Sequence, residues 1–233
     1  MNGLLHIFLF CFLFFISPAQ AQPTTKSFDE LKKEAQEQQI LCDDGNLVAC
    51  NNLAIMYKDG EGVEQNDQKA MQLFQKACEG LNAMSCNNLG VIYDQGFGVQ
   101  QDYKKSIYFY QKACDEDYLS GCTNLGVLYK NGHGVQQDYK KARELYQKSC
   151  EVNDLIGCTN LGTMYENGLG TQQDYTKALE LYQKSCDAQE MMGCYYFGLM
   201  YKQGLGIQKS RRKAKKLFRK GCKNNHQESC DSL

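Results

Sequence analysis

The chain has 233 residues, with 26 basic and 27 acidic side chains for a net charge of −1. The two signs nearly cancel overall, and no nucleic-acid partner is expected of a chain that reads, below, as exported. The outlying feature is thirteen cysteines.

The first predicted element is a leader. The run LLHIFLFCFLFFI, Leu4 to Ile16, is thirteen residues long and apolar except at His6, whereas a bilayer span needs roughly 20. The SPAQAQ that follows offers Ala19-Gln20-Ala21 as a small-x-small cleavage site, so residues 1–21 read as a secretory signal. Its n-region carries no Lys or Arg, and no cysteine stands at the cleavage point to take a lipid anchor. Removal takes Cys11 with it and leaves twelve cysteines in a chain expected to be secreted or periplasmic, where thiols oxidise.

Residues 22–48 form an N-terminal segment and a half-repeat helix, FDELKKEAQEQQILC. Five repeats of thirty-six residues follow without insertion, 49–84, 85–120, 121–156, 157–192 and 193–228, with a tail at 229–233. A strict period of this size predicts a solenoid of helix pairs. In the third repeat GCTNLGVLYKNG places Leu125, Leu128 and Tyr129 on one helical face, helix A. Gly132 and Gly134 in NGHG then reverse the chain. Helix B follows in DYKKARELYQKSC, with Ala142, Leu145, Tyr146 and Ser149 on one face. Asn66, Asp102, Asp138, Asp174 and Ser210 precede the five B helices, all of them N-cap types. Lys76, Lys112, Lys148, Lys184 and Lys220 stand in the last turn of each, where cations suit the helix dipole. Ala54, Gly90, Gly126, Gly162 and Gly198 share one position of helix A. Glycine weakens a helix by up to ~1 kcal/mol, so its recurrence predicts backbone-to-backbone approach.

Twelve cysteines stand at 42 and 50, 78 and 86, 114 and 122, 150 and 158, 186 and 194, 222 and 230. Residues eight apart on one helix are about 12 Å apart, and a disulfide needs Cα atoms within roughly 7 Å. A bonded pair therefore spans a chain reversal. The neighbouring register, Cys50–Cys78 and onward, strands Cys42 and Cys230. The C-x7-C register uses all twelve and is the expected one: Cys42–Cys50, Cys78–Cys86, Cys114–Cys122, Cys150–Cys158, Cys186–Cys194 and Cys222–Cys230. Zinc sites favour cysteines two to four apart, and no C-x-x-C redox pair is present. No metal or cofactor is expected.

The signature L-G-x-x-Y-x-x-G-x-G-V-x-x-D-x-x-K-A, Leu125 to Ala142, resembles the Sel-one-like repeat, a relative of the tetratricopeptide repeat. The added C-x7-C pairs look like the secreted Helicobacter cysteine-rich protein family. The resemblance spans residues 27–230. It implies an all-α, right-handed superhelix of αα-hairpins, each clasped to the next by a disulfide. It also implies penicillin binding and β-lactamase action on penicillin and cephalosporin nuclei. The residues offer little for that chemistry. The one S-x-x-K, Ser210 to Lys213, is a candidate nucleophile and base, but S-D-N and K-T-G are absent. Ser210 also fills the cap slot held elsewhere by Asn or Asp. After signal removal only His133 and His226 remain, far apart in sequence.

In the tetratricopeptide relatives helix A lines a concave groove. Beside the apolar stripe recur Asn52, Asn88, Asn124 and Asn160, and seven residues on come Asp59, Gln95, Asn131 and Asn167. Residues seven apart nearly eclipse on a helix, so these groups form a ladder. Amides carry donors and acceptors and suit an extended peptide, a cell-wall-like ligand or a β-lactam. Equally, they can bond neighbouring repeats internally. The fifth repeat replaces the asparagine with Tyr195 and Tyr196, as an aromatic wall or as end packing. The stretch KSRRKAKKLFRKGCK, Lys209 to Lys223, holds nine basic residues and no acid. It is a candidate contact for an anionic surface such as lipopolysaccharide, a glycan or an acidic protein, or else a solvated cap. The sequence thus reads as a monomeric binder, with a non-catalytic scaffold toward host proteins as the alternative to the β-lactam activity.

Overall fold

The computed structural model describes residues 26–233; the leader lies outside them. Twelve α-helices and no strand occur among the described residues. They are α1 (Phe28–Asp43), α2 (Leu47–Asp59), α3 (Asp67–Glu79), α4 (Ala83–Gln95), α5 (Tyr103–Asp115), α6 (Leu119–Asn131), α7 (Tyr139–Glu151), α8 (Leu155–Asn167), α9 (Tyr175–Asp187), α10 (Met191–Gln203), α11 (Arg211–Lys223) and α12 (Gln227–Asp231). Even-numbered helices are the A layer and odd-numbered ones the B layer. Each A helix starts two residues before the cysteine-anchored repeat frame, at 47, 83, 119, 155 and 191. The caps explain the offset: Asn46, Asn82, Asp154 and Glu190 accept from first-turn amides there.

All five expected B-helix caps form. Asn66, Asp138 and Asp174 accept from the amide three residues on at 2.9–3.0 Å, Asp102 from Lys104 and Lys105, and Ser210 from Lys213 at 3.3 Å. The A helices end on Gly60, Gly96, Gly132, Gly168 and Gly204 in the left-handed conformation.

The six disulfides join the C-x7-C pairs, with Cα–Cα distances of 4.3–4.7 Å. Each closes the reversal from a B helix to the next A helix, and one residue inside each loop takes positive φ: Gly45, Leu81, Asp117, Asn153, Gln189 and Asn225. The last-turn lysines work differently from the expectation. Lys76, Lys148, Lys184 and Lys220 donate to the carbonyls of Cys42, Cys114, Cys150 and Cys186 at 2.6–3.1 Å. Those carbonyls belong to the end of the preceding B helix, so each cation caps its neighbour's dipole and ties two repeats together. Lys112 instead lies over the Tyr108 ring.

The repeated glycines of helix A meet side chains rather than backbone, which corrects the sequence reading. A Cβ built on Gly126, Gly162 or Gly198 would lie 2.6 Å from the ring of Tyr146, Tyr182 or Phe218. These rings, with Phe74 and Tyr110, are the largest buried side chains, and glycine lets a flat ring sit on the helix barrel. Backbone approach occurs instead at the second glycine of the A-to-B turn. Gly170 has φ +64°, and a Cβ there would lie 2.5 Å from the carbonyl carbon of Tyr139 in the preceding repeat.

Candidate ligand-binding surface on the A helices

Successive A helices touch one another, α4 with α6, α6 with α8 and α8 with α10, whereas successive B helices make no comparable contact. The layer whose members crowd together is the inner side of a curved stack. Helix A therefore lines the concave face.

Four positions of each A helix, at i, i+4, i+7 and i+11, stay partly or fully accessible on that face. The first row is Val48, Met84, Ser120, Ile156 and Met192, where Val48 and Ile156 keep 59% and 56% of their surface exposed. The second is the predicted row of Asn52, Asn88, Asn124 and Asn160, continued by Tyr196. The third is Ile55, Val91, Val127, Thr163 and Leu199. The fourth is Asp59, Gln95, Asn131 and Asn167, continued by Gln203. Rows of mainly amide side chains thus alternate with rows that are apolar except at Ser120 and Thr163. The sequence ladder covered the amide rows but missed the apolar ones, because their outward orientation is set by the close A–A packing.

The asparagines divide by their bonding. Asn88 donates to Asn51 Oδ1 at 3.1 Å and Asn124 to Asn87 Oδ1 at 3.0 Å, each across a repeat junction. Asn52 reaches Gln38 at 3.4 Å. Among the described residues Asn160 and Asn131 have no side-chain hydrogen bond. Asn167 turns back to the Thr163 carbonyl, and Gln95 to Asp94. The inner row is therefore partly a fastening between repeats and partly free.

The position just before the ladder was not foreseen. Asn51, Asn87, Thr123 and Thr159 are buried polar side chains. Asn51 accepts also from Ser85 at 3.0 Å; Thr123 donates to Asp154 at 2.6 Å and Thr159 to Glu190 at 2.9 Å. Asp154 and Glu190 are the caps of the next A helices, so this seam aligns consecutive A helices through their N-termini. A recurrent polar residue directly after a buried cysteine was the available signal. In the fifth repeat the seam slot holds Tyr195, packed on Phe218 and His226, while Tyr196 takes the inner-row slot and stacks on Tyr182 with centroids 5.2 Å apart.

Ser210 and Lys213 sit apart from this face, at the start of α11. The Ser210 hydroxyl accepts from the Lys213 amide, and the Lys213 ammonium lies 4.9 Å from the Tyr201 ring centroid. His133 stacks on Tyr103 and His226 caps α12. Among the described residues no cluster of metal-ligating side chains forms, and no helix is long and apolar enough to cross a membrane.

Fold and surface together define a disulfide-stapled αα-hairpin solenoid with a solvent-accessible inner face. The Sel1 repeat family matches residues 47–80, 83–118, 119–154, 155–190 and 187–226, and the chain belongs to that family. A comparison with the curated proteins gives no match. Among solved structures, a Sel1 repeat protein from Oxalobacter formigenes is 25% identical with a TM-score of 0.77, over 88% of this chain and 86% of that one. The Escherichia coli protein c5321, a protective antigen of uropathogenic strains with an SLR fold, is 27% identical with a TM-score of 0.73. It is matched over 85% of this chain, which spans 42% of its length. Helicobacter pylori cysteine rich protein B is 30% identical over 57% of this chain and 95% of its own, with a TM-score of 0.45.

Proposed function

We propose that the protein is an exported interaction scaffold that binds an extended peptide, or a cell-wall-like ligand of the same amide chemistry, along the inner face of its A helices. Six disulfides point to an extracytoplasmic setting; export through the leader is part of the proposal. The observation that carries the reading is the alternation of exposed apolar rows with amides, including the unbonded Asn131 and Asn160. An extended peptide offers backbone donors and acceptors to such amides and alternate side chains to apolar rows. The cations of the last repeat lie on the B layer and belong to a separate contact.

A selection of displayed random peptides on the oxidised protein tests this. Ile156→Asp should weaken a selected peptide by roughly tenfold or more, by placing a charge in the apolar row, with the helical circular dichroism unchanged. Equal binding to that variant would reject the inner face. The β-lactam chemistry implied by the cysteine-rich resemblance enters as ligand mimicry, since β-lactams resemble cell-wall peptides. The helix-cap role of Ser210 favours binding over hydrolysis. Catalytic release of product from a penicillin would overturn that preference.

A further inference from the structure

Arg212, Lys216, Arg219 and Lys223 stand at i, i+4, i+7 and i+11 of α11, with Arg211 and Lys215 along one edge. All six are exposed, on the side opposite the buried Ala214, Phe218 and Gly221. Among the described residues none of them pairs with a carboxylate. The same four positions hold Thr176, Glu180, Gln183 and Asp187 in α9, and Lys140, Glu144, Gln147 and Glu151 in α7. In α7 part of that outer face is bonded within the helix. Gln147 donates to Glu151 at 3.0 Å, as Gln111 does to Asp115 and Gln75 to Glu79.

Helix α11 replaces that arrangement with one that opposes its own stability. Arg211–Lys215, Arg212–Lys216, Lys215–Arg219 and Arg219–Lys223 are like-charged neighbours one turn apart. Arg211, Arg212 and Lys213 also crowd the first turn, where the helix dipole disfavours cations. Solvation does not require the change, because the acids of α7 and α9 keep the same positions soluble. An anionic partner relieves both the repulsion and the dipole conflict.

We infer that this stripe docks the protein on an anionic phospholipid surface, independently of the inner-face reading. The helix is about 20 Å long, so its cations are spread too widely to converge on one phosphate, and the four stripe positions lie on a straight convex face. A sheet of headgroup phosphates meets such a stripe at every position. The guanidiniums of Arg212 and Arg219 can fork onto phosphate oxygens, and each cation held near the surface adds to the attraction. The apolar side of α11 is locked in the core, so the contact is peripheral, without insertion.

Vesicle flotation of the oxidised full chain tests the inference. The probes are phosphatidylcholine vesicles with and without roughly a third phosphatidylglycerol. The protein should float with the anionic vesicles only, at about 0.1 M salt, and be released near 1 M, where the Debye length falls to about 3 Å. The variant Arg212→Thr, Lys216→Glu, Arg219→Gln, Lys223→Asp carries the α9 residues, which this fold already accepts. It should lose about a hundredfold or more in vesicle partition, with a melting temperature equal to or above that of the parent. The inference fails if the parent does not float with anionic vesicles, if neutral vesicles serve equally, or if the four-site variant floats as well as the parent. It fails equally if DNA, an acidic polysaccharide or an acidic peptide binds the parent while vesicles do not, which would assign the stripe to that polymer.

Discussion

Tyr146 is fully buried, and its hydroxyl has no partner among the described residues. The equivalent slot holds Phe74 and Phe218 in other repeats, so a phenyl ring fits. Tyr146→Phe should therefore raise stability by about 1 kcal/mol, since it removes a buried unsatisfied hydroxyl; thermal unfolding checks this. Tyr182 differs, because its hydroxyl donates to Glu166 at 2.6 Å, and Tyr182→Phe should destabilise. Burial raises the pKa of Tyr110, Tyr146 and Tyr182 above the ordinary 10.0. The unfolded chain thus loses these protons first, and stability, intact below pH 10, should fall as pH climbs past it. An alkaline unfolding midpoint that stays put when Tyr146 and Tyr110 are both changed to Phe would contradict that account. At Ser210 the hydroxyl serves as a cap. Ser210→Ala should cost about 1 kcal/mol and leave penicillin binding unchanged, whereas an acyl adduct on Ser210 by intact mass would make it a nucleophile.

At the scale of the element, two turns make the same backbone demand and meet it with different residues. Gly170 is in the left-handed region with the Tyr139 backbone against its Cα. Gly170→Ala should cost about 3 kcal/mol, by strain plus overpacking. Leu81 occupies the same region at φ 69° with 60% of its surface exposed, so Leu81→Asn should gain about 0.5–1 kcal/mol. Denaturant titration of the pair would show opposite shifts; a shared sign would refute the assignment. These turns also mark what was legible in the sequence. Caps, turn glycines and cysteine register are local, short-range chemistry, and the helix order follows from them. What a helix touches 34 residues away is not local. Hence local chemistry points the last-turn lysines at their own helix, whereas they reach the preceding one, and the helix A glycines at backbone, whereas they meet rings. The amide ladder was visible as periodicity. Its division into bonded Asn88 and Asn124 and unbonded Asn160 depends on the geometry of the neighbouring repeat.

For the whole molecule, the solenoid has no single core; each repeat buries its apolar face only against its neighbours. The disulfides compensate by closing every junction on the same edge, each loop worth about 2–3 kcal/mol in the chain-entropy account. Their accessibility is unequal. Both sulfurs of the first five bridges belong to buried residues, with Cys42, Cys50, Cys122, Cys158 and Cys194 fully so. Cys222 and Cys230 are only partly buried, because α12 is five residues long and packs mainly on α11, with no further repeat after it among the described residues. Thiol–disulfide exchange needs an approach to sulfur, so a mild reductant under native conditions should open Cys222–Cys230 first. The remaining bridges should resist until a neighbouring repeat opens. Timed alkylation with peptide mapping should show Cys222 and Cys230 labelled well before the other ten, with little early loss of helicity. Simultaneous labelling of all twelve would mean that the array unfolds as one unit and that its end is no looser than its middle. Early labelling at an internal pair such as Cys114–Cys122 would place the weakest junction inside the solenoid instead.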